Sequence, residues 1–205
     1  MKNSCLQRHR SRRKCEILSH KGKYERKRTN TGNHFGLLLA RIKKSGTNVE
    51  QIEPPEGEHY QSLMAQFPLE PGSDRTFDFD FSFIPDLVGS GSKYLNLQSF
   101  VQLSGEADLA RCPDLLWMIA KINRYLPIGS FGVFDSLDVL YWKQNSYLDG
   151  DLDPELNTSL IMEQTQFAQR IIIDFRDTFL DVIAGRATAM DALKANKWGT
   201  VLLND

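Results

Sequence analysis

Cysteine is scarce in this chain: 205 residues hold three. Cys5, Cys15 and Cys112 are too few and too scattered for a disulfide framework. Cys112 precedes Pro113 at the start of an apolar segment and reads as a small buried or half-buried residue. Long apolar runs are also missing. No stretch approaches the roughly 18 residues needed to span a bilayer, and the basic first residues lack the apolar core of a signal peptide. These absences argue against a secreted disulfide scaffold and against a membrane-spanning helix. They set a soluble, cytoplasmic protein as the expectation.

What the chain does have is a split of charge. Its formal net charge is −1. Residues 1–32 carry 11 Lys/Arg and 2 Asp/Glu, a net of +9, and the remainder carries 14 and 24, a net of −10. The first 32 residues lack apolar periodicity and have too few large apolar groups to offset the entropy of ordering. Residues 1–32 are therefore expected to be a disordered basic tail, and 33–205 a single acidic domain.

The domain's pattern opens with a helix. Phe35, Leu38, Leu39 and Ile42 fall on one helical face, and Gly46 stops it after about residue 45. Short strand signals follow at 49–53, 60–69, 76–83 and 94–103. The third is the clearest, with Phe77, Phe79, Phe81 and Phe83 on one side and Asp78, Asp80 and Ser82 on the other. Pro113 opens a second helix striped by Leu115, Ile119, Ile122 and Leu126. Two strands are expected at 130–134 and 138–144. Asp153-Pro154-Glu155 then starts a long helix, with Asp as cap and Pro at the first helical position. Its expected buried stripe runs Leu156, Leu160, Phe167, Ile171, Phe175, Phe179, Val182, up to Gly185. A short helix capped by Thr188 follows. The fold class is α+β: helix, three-strand meander, helix, two strands, long helix, with the helices packed on an antiparallel sheet and the strand at 49–53 a short fourth candidate.

Catalytic and metal-binding templates break wherever they begin. Asp78 and Asp80 share a strand face about 7 Å apart, but no His or Lys lies near in sequence to complete an acid–base site. Asp149, Asp151, Asp153 and Glu155 resemble a calcium loop until its sixth and twelfth positions, which are Pro154 and Leu160 where Gly and Glu are required. A polar turn leading into a helix N-terminus accounts for them. Cys5, His9, Cys15 and His20 are ligand types without the close Cys pair or packing residues of a zinc module. Gly89-Ser90-Gly91-Ser92-Lys93 lacks phosphate-loop spacing and precedes a strand, not a helix. His34 and His59 have no local partner and read as surface residues. The expectation is no catalytic residue, no metal and no cofactor.

One stretch supports a resemblance. Ile122-Asn123-Arg124-Tyr125-Leu126-Pro127-Ile128-Gly129-Ser130-Phe131-Gly132 ends a helix in an Asn-containing turn and links it to a strand. The strand at Val139–Lys143, an acidic turn and Leu152-Asp153-Pro154-Glu155 continue the pattern. Over roughly residues 34–195 this order of elements resembles the type III secretion chaperone fold, and more closely its YbjN-like family. The resemblance implies a cytoplasmic, non-enzymatic and often dimeric protein. Secretion chaperones bind an extended effector segment, and YbjN-like proteins are loosely linked to sensory or stress regulation. Neither family supplies catalytic residues to carry over.

The sequence therefore leads to a non-enzymatic, chaperone-like protein-binding module, a homodimer with a protein or peptide partner. Its candidate interface residues are Tyr94 and Phe100, on the wet side of their strand, and Trp142. The alternative is a regulator touching nucleic acid through its tail, with Arg10, Arg12, Arg13, Lys14, Arg26, Lys27 and Arg28 against phosphates. That tail has no interleaved aromatics beyond Tyr24. No membrane partner is expected.

Overall fold

A computed structural model of the chain describes residues 32–53, 61–70, 72–84, 94–104, 113–134 and 138–204. The basic tail at 1–31, Cys112, His59, the Gly89–Lys93 stretch and the Cys5/His9/Cys15/His20 series lie outside the described residues.

Helix α1 spans 32–44, so Gly32 belongs to the domain and not to the tail. It buries Phe35, Leu38 and Ile42. Gly46, at φ +80°, turns the chain out in the left-handed region that glycine enters without penalty. Strands β1 (Asn48–Ile52), β2 (Gln61–Pro68), β3 (Thr76–Ile84) and β4 (Tyr94–Ser104) follow, then α2 (Pro113–Asn123), β5 (Ser130–Phe134), β6 (Val139–Asp149), α3 (Pro154–Ile183), α4 (Ala189–Ala195) and α5 (Gly199–Leu203). The protein is an α+β fold. The meander has four strands where three were expected, β1 being a full member. The short α5 carries no sequence signal of its own.

The strands form one six-stranded sheet in the order β1-β2-β3-β4-β6-β5, antiparallel throughout. After β4 the chain leaves through α2, re-enters at the far edge as β5 and returns as β6 beside β4. One sheet face carries the core. Leu63, Ala65, Phe67, Phe77, Phe79, Phe81, Phe83, Leu97, Val101, Leu140 and Trp142 all lie there, buried under the helices. The alternation read from β3 holds: Phe77, Phe79, Phe81 and Phe83 point inward, where Phe79 packs edge-on against Phe67 and Trp142. Phe131 of β5 meets Phe175 and Phe179 of α3.

The long helix departs from expectation in its first half. Asp153 caps it as read, accepting the Glu155 N–H at 3.0 Å. Yet Leu156, Leu160 and Phe167 are exposed, while Asn157, Thr158, Ile161, Thr165 and Ala168 face the sheet. The cause is a polar layer in the core. Gln144 Nε2 and Ser146 Oγ of β6 donate to Gln164 Oε1 at 3.0 and 2.8 Å. Asn157 Nδ2 donates to the Asp149 carbonyl at 2.8 Å. Buried polar groups are tolerated where each finds a partner, so the helix could turn its leucines outward. His34 is a second correction. It is buried, with Nε2 2.9 Å from Asn157 Nδ2. An amide nitrogen only donates, so with this assignment the imidazole nitrogen is the acceptor and His34 joins α1 to the start of α3.

At the C-terminus, Asn196 and Trp198 clip the last turns onto α3. Asn196 Nδ2 reaches the Asp174 carbonyl at 2.7 Å, and Trp198 Nε1 reaches the Asp174 carboxylate at 3.0 Å. Thr188 caps α4 through the Asp191 N–H at 3.2 Å. None of the helices among the described residues is long and apolar enough to cross a membrane.

Candidate functional site: the outer face of the sheet

Alternation along a strand gives the sheet a second face, and no described helix covers it. The register assigns its residues. From β3 come Asp78, Asp80, Ser82 and Ile84. From β4 come Tyr94, Asn96, Gln98, Phe100 and Gln102. From β6 come Tyr141, Lys143, Asn145 and Tyr147, and from β5 Ser130, Gly132 and Phe134.

Aromatic side chains concentrate on the β4–β6–β5 side. Tyr141 stacks on Phe134 at 4.3 Å between ring centroids and on Phe100 at 5.5 Å, and Phe100 stacks on Phe134 at 6.0 Å. Gly132 makes room for this stack. A Cβ there would sit 2.5 Å from Tyr141 Oη, so the tyrosine ring lies flat over bare backbone. Tyr94 and Tyr147 extend the aromatic surface toward the other end of the strands. Tyr147 is 74% exposed, the largest value among the exposed large apolar residues described, and Tyr94 is 48% exposed.

The β2–β3 side is polar. Ser62 and Ser82 are buried with oxygens 2.6 Å apart, and Ser82 Oγ donates to Asp80 Oδ1 at 2.7 Å. With Asp80 ionised, the Ser82 proton is committed to it, so Ser62 donates to Ser82. Burial pushes the Asp80 carboxyl above its ordinary value of 3.8, and the Ser82 hydrogen bond opposes this by favouring the anion. The chain Ser62–Ser82–Asp80 contains a carboxylate and two hydroxyls but no imidazole or amine to act as a base. Its described members form a hydrogen-bonded polar row.

Charge is arranged across the strands. Asp80 pairs in register with Phe100, and Phe100 with Lys143, so one row reads acid, aromatic, base. Neither charge is matched within the described protomer: none of the described residues forms an ion pair with Asp80 or with Lys143.

The structure sorts the sequence-derived candidates. Tyr94 and Phe100 share the outer face as expected. Trp142 does not: it is fully buried on the opposite face, over Gly129, whose Cβ would lie 2.3 Å from its ring. The alternation of β6 puts one of Tyr141 and Trp142 outside, and the larger indole fills the core. Tyr141 therefore replaces Trp142 in the candidate surface, joined by Phe134 and Tyr147, which sequence reasoning missed. Tyr147 escapes that reasoning because β6 runs five residues beyond the expected strand end at 144. The seven tail cations, Arg10, Arg12, Arg13, Lys14, Arg26, Lys27 and Arg28, lie outside the described residues.

Among the described residues no group of three or more His, Cys, Asp or Glu could hold a metal ion. Asp149 and Asp153 are engaged locally, with Asp149 Oδ1 accepting the Asp151 N–H and Asp153 capping α3. A groove of about 710 Å³ between the end of β2 and α3 is lined by residues that include Phe67, Leu69, Glu70, Glu163, Phe167 and Arg170.

No protein-family model matches the chain, and no curated protein matches it.

Proposed function

We propose that this chain is a non-enzymatic protein-binding module that receives its partner on the outer face of β4, β6 and β5. One observation carries the reading. Tyr94, Phe100, Phe134, Tyr141 and Tyr147 lie on adjacent strands of a sheet face that no described helix covers. Large aromatic rings with polar edges supply contact area at low entropic cost and are enriched at the centres of interfaces. The surrounding Asn96, Gln98, Gln102 and Asn145 offer hydrogen bonds, as in a polar rim. The resemblance to type III secretion chaperone-like and YbjN-like proteins supports the same class of function.

Substitution in the full-length chain tests this. Tyr147→Asp places a charge at an exposed position of the proposed surface, and Leu156→Asp does the same on the exposed side of α3. Self-association and crosslinking to protein partners in native lysate are then compared. The reading expects Tyr147→Asp to lose both and Leu156→Asp to lose neither. Equal behaviour of the two variants would overturn it.

A further inference from the structure

We infer that the partner of the outer sheet face is a second copy of this chain, docked face to face about a two-fold axis that runs along β4. This deepens the protein-binding reading and rests on it.

The outer face is self-complementary. Two identical faces can pack about an in-plane two-fold axis in two principal ways. If the axis runs across the strands through the central row, each residue of that row meets its own copy. Asp80 would then lie over Asp80 and Lys143 over Lys143, a like-charge arrangement that opposes association. If the axis runs along β4, the row reverses. Asp80 then lies over the second copy's Lys143, Lys143 over its Asp80, and Phe100 over Phe100. The two charges left unmatched among the described residues of one protomer are thus matched twice by one operation.

The other rows agree with the second arrangement. Residues on the axis are Asn96, Gln98, Phe100 and Gln102. An amide carries both donor and acceptor, so it can pair with its own copy across a two-fold axis. One row away, Ser82 would face Asn145, and beyond it Ile84 would face Tyr147. Four strands at about 4.8 Å spacing and about 3.3 Å per residue give a planar footprint on the order of 500 Å². The accessible area of the corrugated surface is larger, of the order of the roughly 800 Å² per partner that a stable complex buries. Twist tilts aligned sheets by about 30°, so the pairs nearest Phe100 carry the specificity.

Charge reversal by halves tests the geometry. The full-length protein, Asp80→Lys, Lys143→Glu and an equimolar mixture of the two variants are followed by sedimentation equilibrium, with folding checked by circular dichroism. The wild type should dimerise. Each variant alone should bind itself at least about tenfold more weakly, because its dimer opposes like charges twice. The mixture should recover the dimer, since both pairings then join opposite charges. If Asp80→Lys does not fold, Lys143→Glu alone decides: a weakened dimer that recovers in high salt supports the geometry, and an unchanged one overturns it. A monomeric wild type, or a dimer indifferent to both reversals, also overturns it. In either case the broader reading survives if Tyr147→Asp still abolishes capture of another protein.

Discussion

The side chain of Asn123 holds both backbone groups of Phe131, its Nδ2 donating to the carbonyl and its Oδ1 accepting the N–H, each at 2.8 Å. Asn123 ends α2, and Phe131 lies in β5, an outermost strand of the sheet. One amide thus does on this edge what another strand would do, and blocks it from pairing at that point. It also fixes where α2 hands over to the sheet. Asn123→Ala should cost about 1–3 kcal/mol, because two backbone groups lose their partner. On a domain of this size that lowers the melting midpoint by several degrees. Ser130→Ala, on the same strand but exposed, should change it little. Equal midpoints for wild type and Asn123→Ala would contradict this role.

Glycine matters unequally at two turns. Gly46 and Gly129 both have positive φ, but a Cβ at Gly46 meets nothing within 4 Å, whereas at Gly129 it meets the Trp142 ring. Gly46→Ala carries only the backbone penalty, about 1 kcal/mol. Gly129→Ala adds overpacking of about 1–3 kcal/mol and displaces the buried indole. Denaturant melts followed by tryptophan emission should show the larger loss at Gly129, with a red-shifted native spectrum. Equal effects would contradict the packing described.

The first of these relationships is half visible in the sequence. The Asn-containing link after α2 stands out, but nothing in its spacing says that the side chain turns back onto a strand eight residues later. The β3 alternation is legible because four phenylalanines on one side leave little choice of face. The α3 stripe misleads because hydrophobicity alone assigns faces, and here Asn157, Thr158, Thr165 and Gln164 form the inward side, with Asn157 and Gln164 bonded to partners on other elements. His34 misleads for the same reason: its partner lies 123 residues away. The outer-face site is legible in Tyr94 and Phe100. It is incomplete because choosing between Tyr141 and Trp142 requires the cross-strand neighbours, which exist only after the sheet is assembled.

Asp80 gives a pH signature. Its carboxyl is raised by burial in the folded protein, so the folded state holds this proton more tightly than the unfolded one. The stability it contributes is present below the unfolded value and is lost as pH rises through the folded value. At neutral pH the buried anion is therefore a net cost. Asp80→Asn keeps an acceptor for Ser82 and removes the charge. In dilute protein, with the outer face unoccupied, the variant should melt higher than wild type at pH 7, and the gap should narrow as pH falls toward and below 3.8. A variant less stable at pH 7 would contradict the assignment.

The charge split predicts where nucleic-acid affinity resides. Any binding to DNA or RNA should come from the tail, since the remainder carries a net of −10. Replacing Arg12, Arg13 and Lys14 with Gln should flatten the salt dependence, by roughly 0.9 in log–log slope for each duplex phosphate that the tail no longer neutralises. Titrations at several salt concentrations measure this. A slope unchanged by the substitutions would place the affinity elsewhere.

The outer face of β4, β6 and β5 is proposed to receive protein. A photo-crosslinking residue introduced at Tyr147, with a matched one at Leu156 on the exposed side of α3, tests it most directly in the full-length chain. Covalent protein adducts are expected from position 147, mapped by mass spectrometry to the outer strands of a second copy, and far fewer from position 156. Adducts from 156 equal to or exceeding those from 147 would contradict it.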